Sequence, residues 1–238
     1  LIQGELISRA DVSVMTHHSF HGGMALAMLI YSAEEGTTSY NAQTKKIDKT
    51  RFHKQIQEII TGEAWGCMDI TEPDAGSDMG ALRTKAEQDE DGNWFLTGQK
   101  IFVTSGHGRY HFVICRTEKK SDNDITGLGG LSLFLVETYS LTETGERIRH
   151  ATIERIEEKM GHHASATVTI NFDRTPAQLV GKPGEGFKLM LLLMNNARIA
   201  VGFEGLGICE AAWRMSKRYA SERKSMGKQR PGRVGKGR

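Results

Sequence analysis

Three cysteines in 238 residues, Cys67, Cys115 and Cys209, are too few and too far apart for a disulfide framework. Each stands among apolar neighbours and reads as a buried, reduced thiol. No stretch approaches the roughly 20 apolar residues of a membrane span. The opening residues lack the basic start and apolar run of a secretory signal, and Leu1 in place of Met gives the expectation of truncation at the N-terminus. Excess charge is also missing. Thirty-one Lys and Arg against 29 Asp and Glu leave a net charge of +2, which offers no electrostatic case for nucleic acid or a membrane surface. What is present, 38% hydrophobic and 25% charged, is ordinary soluble composition, long enough for one large domain or two small ones with a sizeable core.

Three zones follow one another. Residues 1–63 are helical and polar in pattern: Ile56, Ile59 and Ile60 recur at helical spacing and Gly62 stops the run. Within this zone, 34–49 reads as loop or frayed helix, because Gly36, Thr37, Thr38 and Asn41 favour turns. From residue 64 to 178 short β-prone runs alternate with turn clusters, at 64–71, 82–87, 94–97, 101–104, 111–116, 131–136 and 167–172. Asp91-Gly92 marks a hairpin. Thr167-Val168-Thr169-Ile170-Asn171-Phe172 alternates as a strand with one wet face should. Together these predict a small antiparallel barrel or sandwich. After Pro183-Gly184-Glu185-Gly186 the chain turns helical again over 184–238. Apolar on most sides, that helix is expected inside a bundle, followed by a loose basic tail.

Two segments carry the chemistry. In Thr71-Glu72-Pro73-Asp74-Ala75-Gly76-Ser77-Asp78 a strand enters a Pro-Asp turn and a tight Ala-Gly-Ser loop, whose amides and hydroxyl suit an anion such as a pyrophosphate. A plain β-turn fits the same composition. In Thr97-Gly98-Gln99-Lys100-Ile101-Phe102-Val103-Thr104-Ser105-Gly106 a strand end offers an aromatic face and a hydroxyl to a flat ring system, and alone it is a routine strand end.

Taken in order with Leu131-Ser132-Leu133-Phe134-Leu135-Val136, Gly161-His162-His163-Ala164-Ser165, Gly184-Glu185-Gly186-Phe187, Ala197-Arg198-Ile199-Ala200 and Glu222-Arg223, these segments resemble the acyl-CoA dehydrogenase family, in its longer bacterial type, from about residue 60 to 228. The resemblance implies a multi-domain α and β fold: the end of an N-terminal helical domain (1–63), a middle β domain holding flavin and acyl-CoA (64–178), and the start of a C-terminal helical domain (184–238). It implies FAD as cofactor. Met68, Ile70 and Thr71 then meet the flavin, the Thr71 hydroxyl at its pyrimidine end. Phe102, where many relatives carry Trp, lines the ring with Val103 and Thr104, the Thr104 hydroxyl near N5. Ser77 sits where cofactor phosphate and acyl-CoA meet. Arg198 lies under the thioester region, and Asn195 stands where relatives often carry an acid that contacts CoA. Arg223 matches an arginine reaching the FAD of a neighbouring subunit, and Ser225 is counted with it as cofactor-binding.

The implied reaction is α,β-dehydrogenation of acyl-CoA, with electrons leaving to an electron-transfer flavoprotein or similar acceptor, in the bacterial cytoplasm and in a homo-oligomer at full length. The family's general-base glutamate is expected beyond residue 238. Glu35-Gly36-Thr37 has a suggestive composition but precedes every other motif and reads as a loop. His162-His163 read as a loop near the cofactor and not a metal pair, and His17, His18 and His21 as surface or interface residues. Two other readings stand beside the enzyme: a non-catalytic flavin or acyl-CoA binding module, and nucleic-acid binding by the Lys/Arg-rich tail.

Overall fold

The computed structural model describes residues 2–117 and 127–224. Two helices, α1 (Ile2–Ala10) and α2 (Val12–Glu34), lead into a hairpin, β1 (Ser39–Asn41) and β2 (Lys46–Lys49), and then α3 (His53–Thr61). The strands β3 (Gly66–Asp69), β4 (Lys85–Gln88), β5 (Trp94–Thr104), β6 (Tyr110–Arg116), β7 (Leu131–Glu137), β8 (Tyr139–Leu141), β9 (Arg147–Arg149), β10 (Ala151–Ile156) and β11 (Thr167–Val180) follow, and α4 (Gly186–Glu222) completes the order.

Local signals set several boundaries. Asp11 caps α2 by accepting from the amides of Ser13 and Val14 at 2.7 and 3.1 Å. Gly62, at φ +81°, ends α3. Segment 34–49 departs from the expected loop by forming the β1–β2 hairpin, with the Asn41 side chain accepting from the amides of Gln43 and Thr44. Turn-forming residues serve a hairpin tip as readily as a loop.

Strand β5 pairs with β4 and β11, β11 with β7, β7 with β6, and β6 meets β4 through Lys85 and Arg116, so five strands close on themselves. The Asp91-Gly92 hairpin forms as its sequence requires: Gly92 takes φ +83° and the Asp89 carboxylate accepts from the amides of Asp91 and Asn93. The segments 94–97 and 101–104 are one strand of 11 residues. Gly98 joins them at φ +148°, where a Cβ would lie 2.6–2.9 Å from Thr84. Most ladders are antiparallel, but β3–β6 and β4–β6 are parallel. Parallel neighbours need a long crossover, which the excursion through β4 and β5 supplies between β3 and β6.

Alternation along β6 and β7 divides the apolar residues into two cores. Tyr110, Phe112, Ile114, Leu131, Leu133 and Leu135 face the helices, whereas Val113, Cys115, Phe134 and Val136 fill the barrel. On the expected wet face of the 167–172 stretch of β11, Thr167 and Thr169 are buried, the latter donating to Glu157 at 2.7 Å, and only Asn171, which donates to Glu154, is part-exposed.

On the helical side the Tyr31 hydroxyl donates to the Leu189 carbonyl at 2.7 Å, and Gly186 lets α4 sit directly on β7, where a Cβ would fall 2.4–2.7 Å from the Ser132 backbone. Helix α4 packs on α1, α2 and β7. Its later residues Ile208, Trp213, Met215 and Tyr219 are 49–73% exposed, so this helix, expected as the start of a bundle, carries an apolar face that no other described residues cover. Among the described residues α4 alone has the length and mean hydropathy (1.2) to cross a bilayer, a test that core helices also pass. Glu204 in its middle is buried and accepts from the Thr16 hydroxyl at 2.8 Å.

Cys67 and Cys115 are buried as expected, but Cys209 is exposed on α4, on a side that no other described element covers. Burial, joined at Cys67 by the Asp69 carboxylate, pushes both inner thiols up, that of Cys115 to about 12. Disulfide-exchange reagents at pH 8 are therefore expected to titrate Cys209 quickly in the native chain and all three thiols only in denaturant. Three fast thiols under native conditions would contradict this packing.

Candidate functional site

Lys100 lies on the barrel-facing side of β5 in step with Leu96 and is fully buried, so its ammonium needs partners. Its Nζ donates to Glu72 Oε1 at 2.8 Å and to the Ile70 carbonyl at 2.9 Å. Glu72 also accepts from the amides of Arg83 at 2.6 Å and Thr84 at 2.9 Å. One ion pair thus joins the start of the 70–84 loop, its end, and β5. Burial opposes ionisation of Glu72, but the Lys100 charge and these hydrogen bonds prevail and hold its carboxyl below the ordinary value.

Just beyond Lys100 the strand bulges. Against β11, Val168 pairs with Val103 and Ile170 with Lys100, which leaves one extra residue on β5. The Ile101 amide, displaced from the ladder, donates to the Thr71 carbonyl at 2.8 Å, so the two motifs touch directly. Phe102 takes φ +57°, a costly conformation for an aromatic residue, and the residue is 59% exposed. Ser105 is left-handed too, at φ +60°. Strain of this kind persists where the surroundings over-determine it, and it concentrates at ligand sites.

Thr71 and Thr104 are half-buried, and Ser77 is exposed. Among the described residues their three hydroxyls make no hydrogen bond, whereas those of Thr84, Thr138, Thr169 and Thr175 are all engaged. Met68 and Ile70 pack, part-buried, against the helix-side core. The side chain of Val103, expected beside the ring, is buried in the barrel, because the bulge shifts the alternation by one residue.

A cavity of about 410 Å³ lies between the 77–80 turn and α4. Ser77 and Arg198 both line it, with Phe187, Leu191 and Met194 as its apolar wall. Arg198 donates to Asn195 Oδ1 at 3.1 Å, which brings the three predicted substrate residues into one neighbourhood. Asp78, the carboxylate of this cavity, accepts from the Gly80 amide at 3.0 Å and caps a short turn. A larger cavity, about 720 Å³, opens beside β4 between Lys85, Trp94 and Arg174 and contains none of the predicted residues.

Arg223 is not part of this neighbourhood. It lies about 37 Å along α4 from Arg198 at ~1.5 Å per residue, stacked on Tyr219. Ser225 is outside the described residues. Glu35 ends α2 and accepts from Arg51 at 2.7 Å and from the Gly181 amide at 2.8 Å, away from Ser77 and Arg198. His162 is a loop residue at φ +55°, 3.3 Å from Glu204. Cys67, Asp69 and His111 form a buried cluster with ligand atoms within 4.8 Å of one another. It is hydrogen-bonded within itself: His111 meets Asp69 at 2.9 Å and the Gly108 carbonyl at 3.1 Å, and the Cys67 thiol donates to Asp69 at 3.6 Å.

Glu72 and Lys100 stand in the two motifs, and their pairing is a structural element that motif order alone does not reveal. The signal that finds it is a lysine at a barrel-facing strand position, which demands a buried acid. Lys100→Met is expected to cost about 3–5 kcal/mol by stranding Glu72, and Lys100→Met/Glu72→Gln less, as read by urea unfolding. Because the folded-state value of Glu72 is depressed, its contribution is present above the ordinary carboxylate range, about pH 4.3, and is lost as pH falls through the folded value. Glu72→Gln is expected to flatten that acid limb of stability against pH; an unchanged limb would remove the pair from this role.

Residues 67–175 match the acyl-CoA dehydrogenase middle domain. The 3-methylmercaptopropionyl-CoA dehydrogenase of Ruegeria pomeroyi is 32% identical over 232 residues, covering 88% of this chain and 39% of its own. The structure of butyryl-CoA dehydrogenase from Megasphaera elsdenii superposes with a TM-score of 0.74 at 26% identity, over 94% of this chain and 53% of that one. A chain from a structure of the electron transferring flavoprotein of Acidaminococcus fermentans superposes with a TM-score of 0.71 at 28% identity, with coverage of 94% and 53%. The chain spans 39–43% of the length of curated relatives such as those of Ruegeria pomeroyi and Megasphaera elsdenii. Motif order, the closed barrel between helices and these likenesses agree: the chain belongs to the acyl-CoA dehydrogenase family.

Proposed function

We propose that this chain supplies the flavin-cradling part of an FAD-dependent acyl-CoA dehydrogenase, with 64–178 as the domain that holds flavin and acyl-CoA, 1–63 as the end of an N-terminal helical domain and 184–238 as the start of a C-terminal one. The observation that carries this reading is the exposed Phe102 on a strained bulge, flanked by the unengaged hydroxyls of Thr71 and Thr104 and joined to Thr71 through the Ile101 amide. A flat, polar-edged ring fits such residues: the aromatic covers a face and the hydroxyls meet heteroatoms at the edge. FAD, when bound, accepts hydride from the β carbon of the thioester.

The protein's part is to hold and orient. Thr71 would hold the pyrimidine edge of the flavin and Thr104 its N5 side, with Met68, Ile70 and the Val103 backbone as walls. Ser77 serves both the cofactor phosphate and acyl-CoA. The apolar wall of the 410 Å³ cavity excludes water, and Arg198, oriented by Asn195, brings positive charge to the thioester region. Arg223 serves a neighbouring subunit's FAD in a homo-oligomer, and Ser225, outside the described residues, is assigned to the same cofactor. Electrons pass to an electron-transfer flavoprotein, and the setting is the bacterial cytoplasm.

Removal of the α proton needs a base, and Asp78 is engaged as a turn cap. We place the base on a glutamate beyond residue 238, as in the family. That same feature favours a second reading, a non-catalytic flavin or acyl-CoA binding module. The test is to titrate the purified chain with FAD by flavin fluorescence, then assay acyl-CoAs of several lengths with an electron-accepting dye. We expect FAD binding, weakened up to about tenfold by Phe102→Ala, and turnover at least about 10²–10⁴ below a full-length relative. Failure to bind FAD would overturn the flavin assignment. Turnover like that of a full-length relative would place a base within these residues.

A further inference from the structure

The residue after Thr104 is gripped from outside the barrel. Ser105, 1% exposed, donates its amide to the Ala166 carbonyl at 2.8 Å, and its own carbonyl accepts from the Gly108 amide at 2.9 Å. Its hydroxyl turns toward α2 and meets Nδ1 of His17 at 2.8 Å. The other ring nitrogen, Nε2, faces the Ala164 carbonyl at 3.3 Å. A carbonyl only accepts, so Nε2 carries the proton and Nδ1 accepts from the Ser105 hydroxyl. Trp65 and His107 lie edge-on to the imidazole, with centroids 5.4 and 5.5 Å away, and fix its plane. His17, read from the sequence as a surface or interface residue, thus links the end of β5 to the entry of β11, where Thr104 already pairs with Thr167.

A left-handed serine directly after the hydroxyl assigned to N5 calls for a restraint, since φ +60° is unfavourable for a residue with a side chain. Packing alone does not fix the hydroxyl rotor; the imidazole acceptor does. We infer that His17 is a positioning residue for the proposed dehydrogenation: from a helix outside the barrel it holds the Thr104–Ser105 turn, and through it the Thr104 hydroxyl, against the flavin. This rests on the flavin assignment made above.

Three substitutions separate hydrogen bonding from packing. His17→Asn puts an amide oxygen near the Nδ1 position, His17→Gln puts its polar group near Nε2, and His17→Phe keeps a ring with neither. The measurements are amide hydrogen exchange over residues 104–108, FAD affinity and the visible flavin absorption band, all on the full chain. His17→Phe and His17→Gln are expected to speed exchange across the turn about tenfold, shift the flavin band and weaken FAD binding several-fold. His17→Asn is expected to restore much of each. If His17→Phe binds FAD with an unshifted band, or if His17→Asn is no better than His17→Phe, this inference is overturned while the flavin site stands. A wild-type chain that binds no FAD overturns the flavin assignment and this inference with it.

Discussion

Glu72 and Lys100, buried between the loop after β3 and the strand β5, decide how two distant stretches of sequence come to share one surface. Such a pair adds little net stability, because desolvating two charges consumes most of their attraction. Its effect is on choice. With Lys100 fixed at a barrel-facing position, the only low-energy arrangement puts Glu72 beside it, and Glu72 then fastens the amides of Arg83 and Thr84. The loop between is drawn tight, which sets Ser77 at the cavity rim and leaves the Thr71 carbonyl where the bulged Ile101 amide reaches it.

The barrel gives this arrangement a rigid back. Strands β6 and β7 are apolar on both faces, so the wall that closes the barrel is also the floor on which α2 and α4 rest. The cavity between the 77–80 turn and α4 therefore has two walls tied to one sheet. The Gly186–Ser132 contact sets their separation, since any side chain at 186 would lift the helix off the strand.

Much of this was legible in the residues. The Asp91-Gly92 hairpin, the Gly62 stop, the switch from helical to two-residue period and back, and the motif order all fell where the structure has them. The failures share a cause, which is information held by a neighbour and not by the segment. The side chain of Val103 lies inside the barrel because a bulge breaks the two-residue period in a way that only the partner strand reveals. The wet face expected of β11 is narrowed by Glu154 and Glu157, on and just after β10, which bond Asn171 and Thr169, and Cys209, expected to be buried, is exposed on α4. His17 had no acid in its sequence neighbourhood, and its partner is a serine 88 positions away.

Phe102 and Ser105 both sit at backbone angles that glycine or asparagine adopts more comfortably. Stability and occupancy therefore pull these two positions in opposite directions. A population selected for heat resistance alone, without its ligand, would drift toward Gly or Asn at both, gaining a firmer barrel while erasing the aromatic shelf and the serine latch. The site is the part of this fold that only continued use maintains.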